Sequence, residues 1–350
     1  MKLVVVGLGG IGQRHVRNLR ALLGDTAEIY AYRVRRTSPT LTDRLTVENG
    51  LSVEEKYGIT VLMDFDEALA LGPDAVLICN PSSLHMPIAL AAAKAGCALF
   101  IEKPLSHNEE QVGELIDTAE RRGLVTLVGY QMRFHPCLRR VQSLLAGQAI
   151  GDVIAARIEV GEYLPGWHTY EDYRQMYASR ADLGGGVILS QIHELDYIYW
   201  LFGLPTRLFA LGGHLSDLEI DVEDTASILM ECVVDGRAIP VHLHQDYVQR
   251  PPSRTCEVIG TAGKILMDFN ALTVRQYGAD GRVEVDDSFE GFQRNDLFLD
   301  EMKHFLACIK GDEVSRVTAK DGAQSLRMAL AAKESIATGR VQLLQGARDE

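Results

Sequence analysis

The chain has 350 residues, 47% hydrophobic and 24% charged, which is typical of a globular protein of about two domains. Its formal net charge of −13 argues against nucleic acid or an anionic membrane surface as the main partner. The six cysteines lack CxxC spacing, and no apolar run is long enough to span a bilayer. We therefore expect a cytoplasmic protein with reduced cysteines, since the sequence opens directly on a strand rather than on a signal peptide.

The first twelve residues predict a dinucleotide-binding turn. An apolar strand, Lys2–Val6, leads into Gly7-x-Gly9-x-x-Gly12, and a helix is predicted over 13–23. The three glycines suit a tight turn, a close approach of pyrophosphate and close helix–strand packing, with the phosphates at the helix N-terminus. The alternative is a glycine-rich turn in a nucleotide-free α/β domain. The expected cofactor contacts are Gly7, Gly9, Gly10, Ile11 and Gly12.

The second predicted strand, Glu28–Tyr32, ends without the acidic residue that usually holds the adenosine ribose hydroxyls. Arg33 and Arg35 follow instead, and an arginine there can accommodate a 2′-phosphate. These residues indicate NAD or NADP as the cofactor, with a slight preference for NADP. A solvated basic loop, or arginines that stack on adenine, would give the same pattern.

Strands and helices then alternate, with strands predicted at 74–79, 97–101 and 124–128 and helices at 86–95 and 109–122. This rhythm predicts an α/β fold with a doubly wound parallel sheet. Ligands in such sheets bind beyond the carboxyl ends of the strands. The loops at those ends add further expected cofactor contacts: Asn80, Pro81, His85, Glu102 and Lys103.

Lys103 comes directly after a buried strand and directly before Pro104. Proline restricts the preceding residue to an extended backbone, so the lysine side chain can project into the crevice at the strand ends. There it could exchange a proton with a reacting oxygen. The alternative is a surface lysine at the start of a loop.

Several motifs together resemble the glucose–fructose oxidoreductase / inositol dehydrogenase / MocA (Gfo/Idh/MocA) family. In the first half these are the glycine turn with the helix that follows it, Pro81-x-x-x-His85 and Glu102-Lys103-Pro104. In the second half they are a glycine-rich turn and histidine helix over 182–197, a strand and turn over 257–263, and the C-terminal helix around Asp321 and 331–335. The motifs stand in family order over essentially the whole chain.

The resemblance implies a Rossmann dinucleotide-binding domain at 1–128. It also implies a C-terminal α/β domain at 129–350, with an open, mostly antiparallel sheet that joins a homodimer or homotetramer. The implied reaction moves a hydride between NAD(P) and a carbinol of a sugar, polyol or activated sugar. Lys103 would bind the reacting oxygen and His193 would act as acid or base. Asp196 lies three residues further on one helix face, where it could orient the imidazole or serve structure only.

The chain departs from the family pattern just before the histidine. Many relatives carry an aspartate there, whereas this chain has Leu189 and Ser190. A serine can hydrogen-bond a substrate hydroxyl but holds no charge at neutral pH. The departure bears on where the substrate is held and on the type of reaction.

A segment rich in aromatic and charged residues, 163–174, interrupts the second half. Aromatic faces suit sugar C–H surfaces, although such a loop could also pack its rings over the core. His242 and His244 alternate on a predicted strand and are assigned no metal, and Asp286 and Asp287 are predicted in a solvated loop. The candidate substrate contacts are Arg133, Tyr163, Trp167, His168, Arg174 and Ser190.

The sequence therefore predicts an NAD(P)-dependent oxidoreductase acting on a sugar or activated sugar. Two alternatives remain open. One is a lyase or glycosidase that reduces and reoxidises a retained NAD within each cycle. The other is a dinucleotide-bound sensor without catalysis, although Lys103 and His193 would have no use there.

Overall fold

A computed structural model describes residues 1–34 and 39–344. The first part of the chain builds a six-stranded parallel sheet in the order β3-β2-β1-β4-β5-β6. Its elements are β1 (Lys2–Val6), α1 (Gly10–Leu23), β2 (Glu28–Tyr32), α2 (Val53–Tyr57), β3 (Thr60–Leu62), α3 (Phe65–Ala70), β4 (Ala75–Ile78), α4 (His85–Ala95), β5 (Ala98–Ile101), α5 (Val112–Arg122) and β6 (Thr126–Val128).

The central strands of this sheet are apolar on both faces because helices cover both faces. Every residue of β4 and β5 is buried, as is usual for parallel strands. The register pairs Val6 with Tyr32 and Ile78, and Ile78 with Ile101. The carboxyl ends of these strands therefore meet at one edge, and this edge carries the candidate site. The doubly wound sheet predicted from the sequence is confirmed.

The second part of the chain forms a mixed sheet in the order β14-β13-β12-β11-β7-β10-β9-β8-β15. Its neighbours are antiparallel except for β10 and β7, which run parallel. The elements are α6 (Pro136–Ala146), β7 (Val153–Gly161), α7 (Val187–Ser190), α8 (His193–Phe202), β8 (Arg207–Gly213), β9 (Thr225–Val234), β10 (Arg237–Asp246), β11 (Ser253–Gly260), β12 (Gly263–Asp268), β13 (Thr273–Gly278), β14 (Val283–Ser288), α9 (Arg294–Lys310), α10 (Ala319–Thr338) and β15 (Gln342–Leu343). The expected open, mostly antiparallel sheet is confirmed.

The loop predicted around Asp286 and Asp287 is wrong, because both residues lie in β14. Their carboxylates pair with Arg275 on the neighbouring strand and with Arg140 on α6. These cross-strand and helix contacts allow charged residues to form an edge strand.

Helices cover one face of the second sheet, and within residues 1–34 and 39–344 nothing covers the other. We call the uncovered side the open face; it includes Leu211, Leu229, Val233, His242 and Ile259. Its aliphatic side chains are exposed, Leu229 by 53% and Leu211 by 64%.

The last two long helices pack against the first sheet as well as the second. Phe305 of α9 meets Phe100 of β5 edge to face, with ring centroids 5.5 Å apart. On α10, a Cβ at Gly322 would lie only 2.7 Å from a methyl carbon of Val128. The division at residue 129 stays a prediction, since the described chain returns across it.

Candidate active site

The glycine turn has open space beside Gly9, whereas at Gly12 it has no space even for a Cβ atom. A Cβ on Gly12 would lie 2.0 Å from the Gly7 carbonyl oxygen, so close packing requires glycine there. Gly7 has a φ of 93° and donates its N–H to the Tyr32 carbonyl oxygen at 2.9 Å. A Cβ on Gly9 would meet no atom within 4 Å. This open space at the N-terminus of α1 fits a pyrophosphate, which would be bound by amides of the helix start, Gly10 and Ile11 among them.

The end of β2 carries an ion pair rather than a free arginine. The Arg33 guanidinium contacts the carboxylate of Glu54 on α2, with 11% and 27% of the two side chains exposed. Arg35 lies outside the described residues. The arginine expected to bind a 2′-phosphate is therefore already paired with the carboxylate of Glu54.

The loop after β4 is braced by His85, whose ring is buried. Its Nδ1 lies 2.9 Å from the Pro104 carbonyl oxygen and its Nε2 2.9 Å from that of Asn80. Both ring nitrogens face the backbone, so His85 supports the loop after β4 and the loop after β5 rather than binding the cofactor through its ring. Pro81 follows Asn80 and precedes a short helical turn, Ser82–Leu84.

Glu102 is likewise engaged within the protein. Its Oε1 lies 2.6 Å from Nε2 of His15 on α1, and its Oε2 accepts the Lys103 N–H at 3.2 Å. The carboxylate thus ties the lysine loop to the helix that follows the glycine turn, rather than facing the cofactor.

Lys103 reaches across to the second part of the chain. Its Nζ donates to the Ser190 carbonyl oxygen at 2.8 Å and lies 3.4 Å from the Tyr177 hydroxyl oxygen. The ammonium also lies 5.9 Å from the Tyr177 ring centroid. Neither contact is a carboxylate, so the positive charge stays available to a substrate oxygen.

His193 lies beside this lysine at the start of α8. Burial, with a further contribution from Lys103, lowers the pKa of His193 well below its ordinary value, so the ring is neutral. Its Nε2 lies 3.2 Å from Nε2 of Gln131. Among the described residues nothing hydrogen-bonds its buried Nδ1. A single helix carrying both His193 and Asp196 is predicted from Gly186, whereas the chain breaks between α7 and α8, and His193 is the first residue of α8.

Asp196 does not orient His193. Its two carboxylate oxygens accept from Arg133 Nη2 and Nε at 2.7 and 2.8 Å, and one also accepts from Ser325 at 3.2 Å. Burial opposes the charge on Arg133, but Asp196 outweighs it and raises the pKa of the guanidinium. The pair is buried, so its geometry makes Asp196 and Arg133 a structural link rather than a catalytic aspartate and a substrate contact.

The aromatic segment is divided between packing and the site. Trp167 packs edge to face on Tyr247, and the Arg250 guanidinium lies 3.9 Å from the centroid of Tyr163. Arg174 pairs at the surface with Asp172 and Glu219. Trp167, Tyr163 and Arg174 therefore contact other residues of this protein, as expected of a loop that packs on its own core.

His168 and Tyr170 lie nearer the glycine turn. Their rings stack with centroids 5.3 Å apart, and a Cβ on Gly10 would lie 3.1 Å from the Tyr170 hydroxyl oxygen. Sequence reasoning singled out the segment but missed Tyr170, and it missed Tyr177, Gln131 and Glu54 altogether. No spacing in the sequence marks these residues, because their partners are distant in the chain.

A parallel sheet with open space at the glycine turn after its first strand, and with a lysine and a neutral histidine beyond its strand ends, is typical of a dinucleotide-binding oxidoreductase. Residues 1–130 match the model of the oxidoreductase family with an NAD-binding Rossmann fold, and residues 138–266 match that of the GFO/IDH/MocA C-terminal domain. The chain belongs to the Gfo/Idh/MocA family of NAD-binding oxidoreductases. The family predicted from the sequence motifs is confirmed.

Individual relatives cover nearly the whole chain. It is 28% identical to myo-inositol 2-dehydrogenase of Thermotoga maritima over 96% of each protein. It is 26% identical to 1,5-anhydro-D-fructose reductase of Ensifer adhaerens over 84% of this chain and 87% of that one. A crystal structure of a probable dehydrogenase from Thermotoga maritima matches 98% of this chain and 99% of its own with a TM-score of 0.75 and 26% identity. Within residues 1–34 and 39–344, no helix combines the length and apolar character needed to cross a membrane.

Proposed function

We propose that this enzyme transfers a hydride between the nicotinamide of NAD(P) and a carbinol or keto carbon of a sugar, polyol or activated sugar. The observation that carries the proposal is the Lys103 ammonium, bound to a carbonyl and a hydroxyl beside the neutral His193. The polyol and sugar-derived substrates named for the two curated relatives support the substrate class.

The glycine turn and the N-terminus of α1 would hold the dinucleotide, which when bound supplies the hydride acceptor or donor. Lys103 donates a hydrogen bond to the substrate oxygen and stabilises the negative charge that develops on it. With the Gln131 amide turned so that its oxygen accepts from Nε2–H, the unpartnered Nδ1 of His193 would take the hydroxyl proton during oxidation and return it during reduction. Tyr177 and the Ser190 carbonyl position the Lys103 ammonium.

Ser190 stands where many relatives carry an aspartate, so the substrate would be held here without a carboxylate at this position. The serine presents its main-chain oxygen to Lys103 and stays buried. His168, which stacks on Tyr170 and whose Nδ1 lies 3.0 Å from a Glu171 carboxylate oxygen, stays a candidate contact for a sugar hydroxyl. This arrangement suits a neutral polyhydroxylated substrate.

Replacement of Lys103 tests the proposal. We expect Lys103→Met to lower kcat by roughly 10²–10⁴-fold, because the reacting oxygen loses its hydrogen-bond donor. Dinucleotide affinity, followed by nicotinamide fluorescence, should stay within about threefold, since the phosphates bind at the glycine turn. The control is Lys94→Met, which removes an exposed lysine of α4 paired with Glu114. Full turnover in Lys103→Met would contradict the proposed role.

We also propose that a second copy of this chain covers the open face. Across this face Phe209 pairs with Leu229 and Leu229 with His242, which places aliphatic and aromatic side chains on neighbouring strands. Beside them Arg157 lies opposite Glu257 on the next strand, so the face carries both signs of charge. A surface with exposed leucines and both charges is suited to pairing with itself in a homodimer, or in pairs within a homotetramer.

A further inference from the structure

The adenosine end of the cofactor site contains an acid that the sequence pattern does not reveal. The Tyr32 carbonyl at the end of β2 accepts the Gly7 N–H, so the next residue, Arg33, flanks the glycine turn. The Arg33 N–H lies 3.5 Å from the carbonyl oxygen of Leu62, at the end of β3. Its guanidinium contacts Glu54, which lies some twenty residues further along the chain.

The local structure of α2 directs Glu54 to this place. Ser52 caps the helix, and the carboxylate of Glu55 completes the capping box with it. The helix is held to α1 through Tyr57, whose hydroxyl and carbonyl oxygens accept from Arg17 and Arg20. Glu55 is thus occupied by the cap, whereas the Glu54 carboxylate is directed to Arg33.

We propose that Glu54 supplies the acid missing from the end of β2 and selects NAD over NADP. A carboxylate can accept a hydrogen bond from a ribose hydroxyl, as the acid of the usual dinucleotide fold does. A 2′-phosphate would bring a charge of about −1.5 to −2 to a site where Arg33 is already neutralised by Glu54. Like charges brought together in a partly buried site are strongly unfavourable. The inference rests on the proposed function and replaces the slight preference for NADP that the arginines alone suggested.

The test is a parallel titration of the wild-type protein and three variants with NADH and NADPH, followed by fluorescence without any sugar. The wild type should bind NADH more tightly. Glu54→Gln should improve NADPH affinity relative to NADH by about tenfold or more, because it removes the repelling charge. Glu54→Asp, which keeps the charge, should still favour NADH. The matched control Glu55→Gln removes the neighbouring charge and should leave the ratio within about twofold.

Salt gives a second measurement that needs no variant. The wild-type preference for NADH should narrow as ionic strength rises, because salt screens repulsion at a partly exposed site. Tighter wild-type binding of NADPH, or an unchanged ratio in Glu54→Gln, would overturn the assignment of Glu54. Failure of every protein to bind either dinucleotide would instead contradict the proposed function itself.

Discussion

At the scale of single residues, the charges of the candidate site depend on which side chains have a carboxylate partner and which do not. Lys103 is held by a carbonyl and a hydroxyl, so no carboxylate cancels its charge. His193 is buried beside that charge, which keeps its ring neutral. Two carboxylates are close to these residues in the sequence, but Glu102 contacts His15 and Asp196 pairs with Arg133. In the proposed reaction, a substrate oxygen would therefore meet one cation and one neutral imidazole.

Glu301 on α9 is a buried acid outside this chemistry. Among the described residues no group hydrogen-bonds either of its carboxylate oxygens. Burial, with smaller contributions from Glu102 and Asp196, raises the pKa of Glu301 well above its usual value. The folded protein thus keeps a proton that the unfolded chain releases above about pH 4.3, so this group disfavours folding increasingly as pH rises above that value.

Glu301→Gln should therefore stabilise the protein at pH 7, by roughly 1–3 kcal/mol, because the amide has the shape of the acid and no proton to lose. The gain should disappear near pH 4, where both states of the wild type hold the proton. Urea unfolding at the two pH values measures both effects, with the exposed Glu290→Gln as control. An equal effect at both pH values would mean that proton linkage is not its cause.

At the scale of elements, the parallel strands and the glycine turn could be predicted because their signals are local. Continuous apolar runs and glycine spacing report directly on burial and on backbone approach. The exact bounds of β1 and β2 follow from the sequence. β8, β12 and β13 were not predicted, since their apolar and polar residues do not alternate regularly and their pairing depends on distant partners. The break between α7 and α8 has no proline or strong sequence signal either.

The candidate site also contains residues that local motifs reveal and residues that only long-range pairing reveals. The residues found from the sequence, such as Lys103 and His193, belong to contiguous motifs. Tyr177 and Glu54 act through partners that folding brings to them, over 74 and 21 positions of separation. Asp196 was considered as a partner of His193 because of its helical spacing, but it pairs with Arg133, which is distant in the sequence. Long-range pairing was the information that the sequence lacked.

Two alanine substitutions in the glycine turn should have different effects. Gly9→Ala should leave the unfolding midpoint within about 2 °C while weakening dinucleotide binding by roughly tenfold or more, since its Cβ fills only the open space. Gly12→Ala should destabilise the fold by about 2–4 kcal/mol, because its Cβ would lie 2.0 Å from the Gly7 carbonyl oxygen. Thermal unfolding and NADH titration of both variants separate the two effects. Tight NADH binding by Gly9→Ala would show that the phosphates do not occupy that space.

At the scale of the whole molecule, the helices α9 and α10 join the two sheets, and the open face is where we propose that another copy of the chain binds. α9 places Phe305 against Phe100, and α10 places Gly322 against Val128. Glu102, Lys103, Ser190 and Tyr177 are thereby held across the two parts of the chain. The candidate active site therefore takes residues from both parts of the chain.

Leu229→Arg should dissociate the proposed oligomer into monomers at micromolar concentration, because it puts a charge at the middle of the open face. Sedimentation velocity gives the mass of each species in solution. Val314→Arg is the control, since Val314 is 88% exposed on the loop between α9 and α10, which contacts β6 of the first sheet rather than the open face. A wild type that sediments as a monomer, or a Leu229→Arg oligomer of unchanged mass, would show that this face does not join copies.

The most direct test of the central claim is the stoichiometry of steady-state turnover on a panel of sugars, polyols and nucleotide-linked sugars with NAD and with NADP. Our account predicts that an accepted substrate yields one reduced nicotinamide for each carbinol converted to a ketone, and that the activity is lost in Lys103→Met. Product formation without net reduced nicotinamide would contradict the account. It would indicate instead an enzyme that reduces and reoxidises a retained dinucleotide in each cycle.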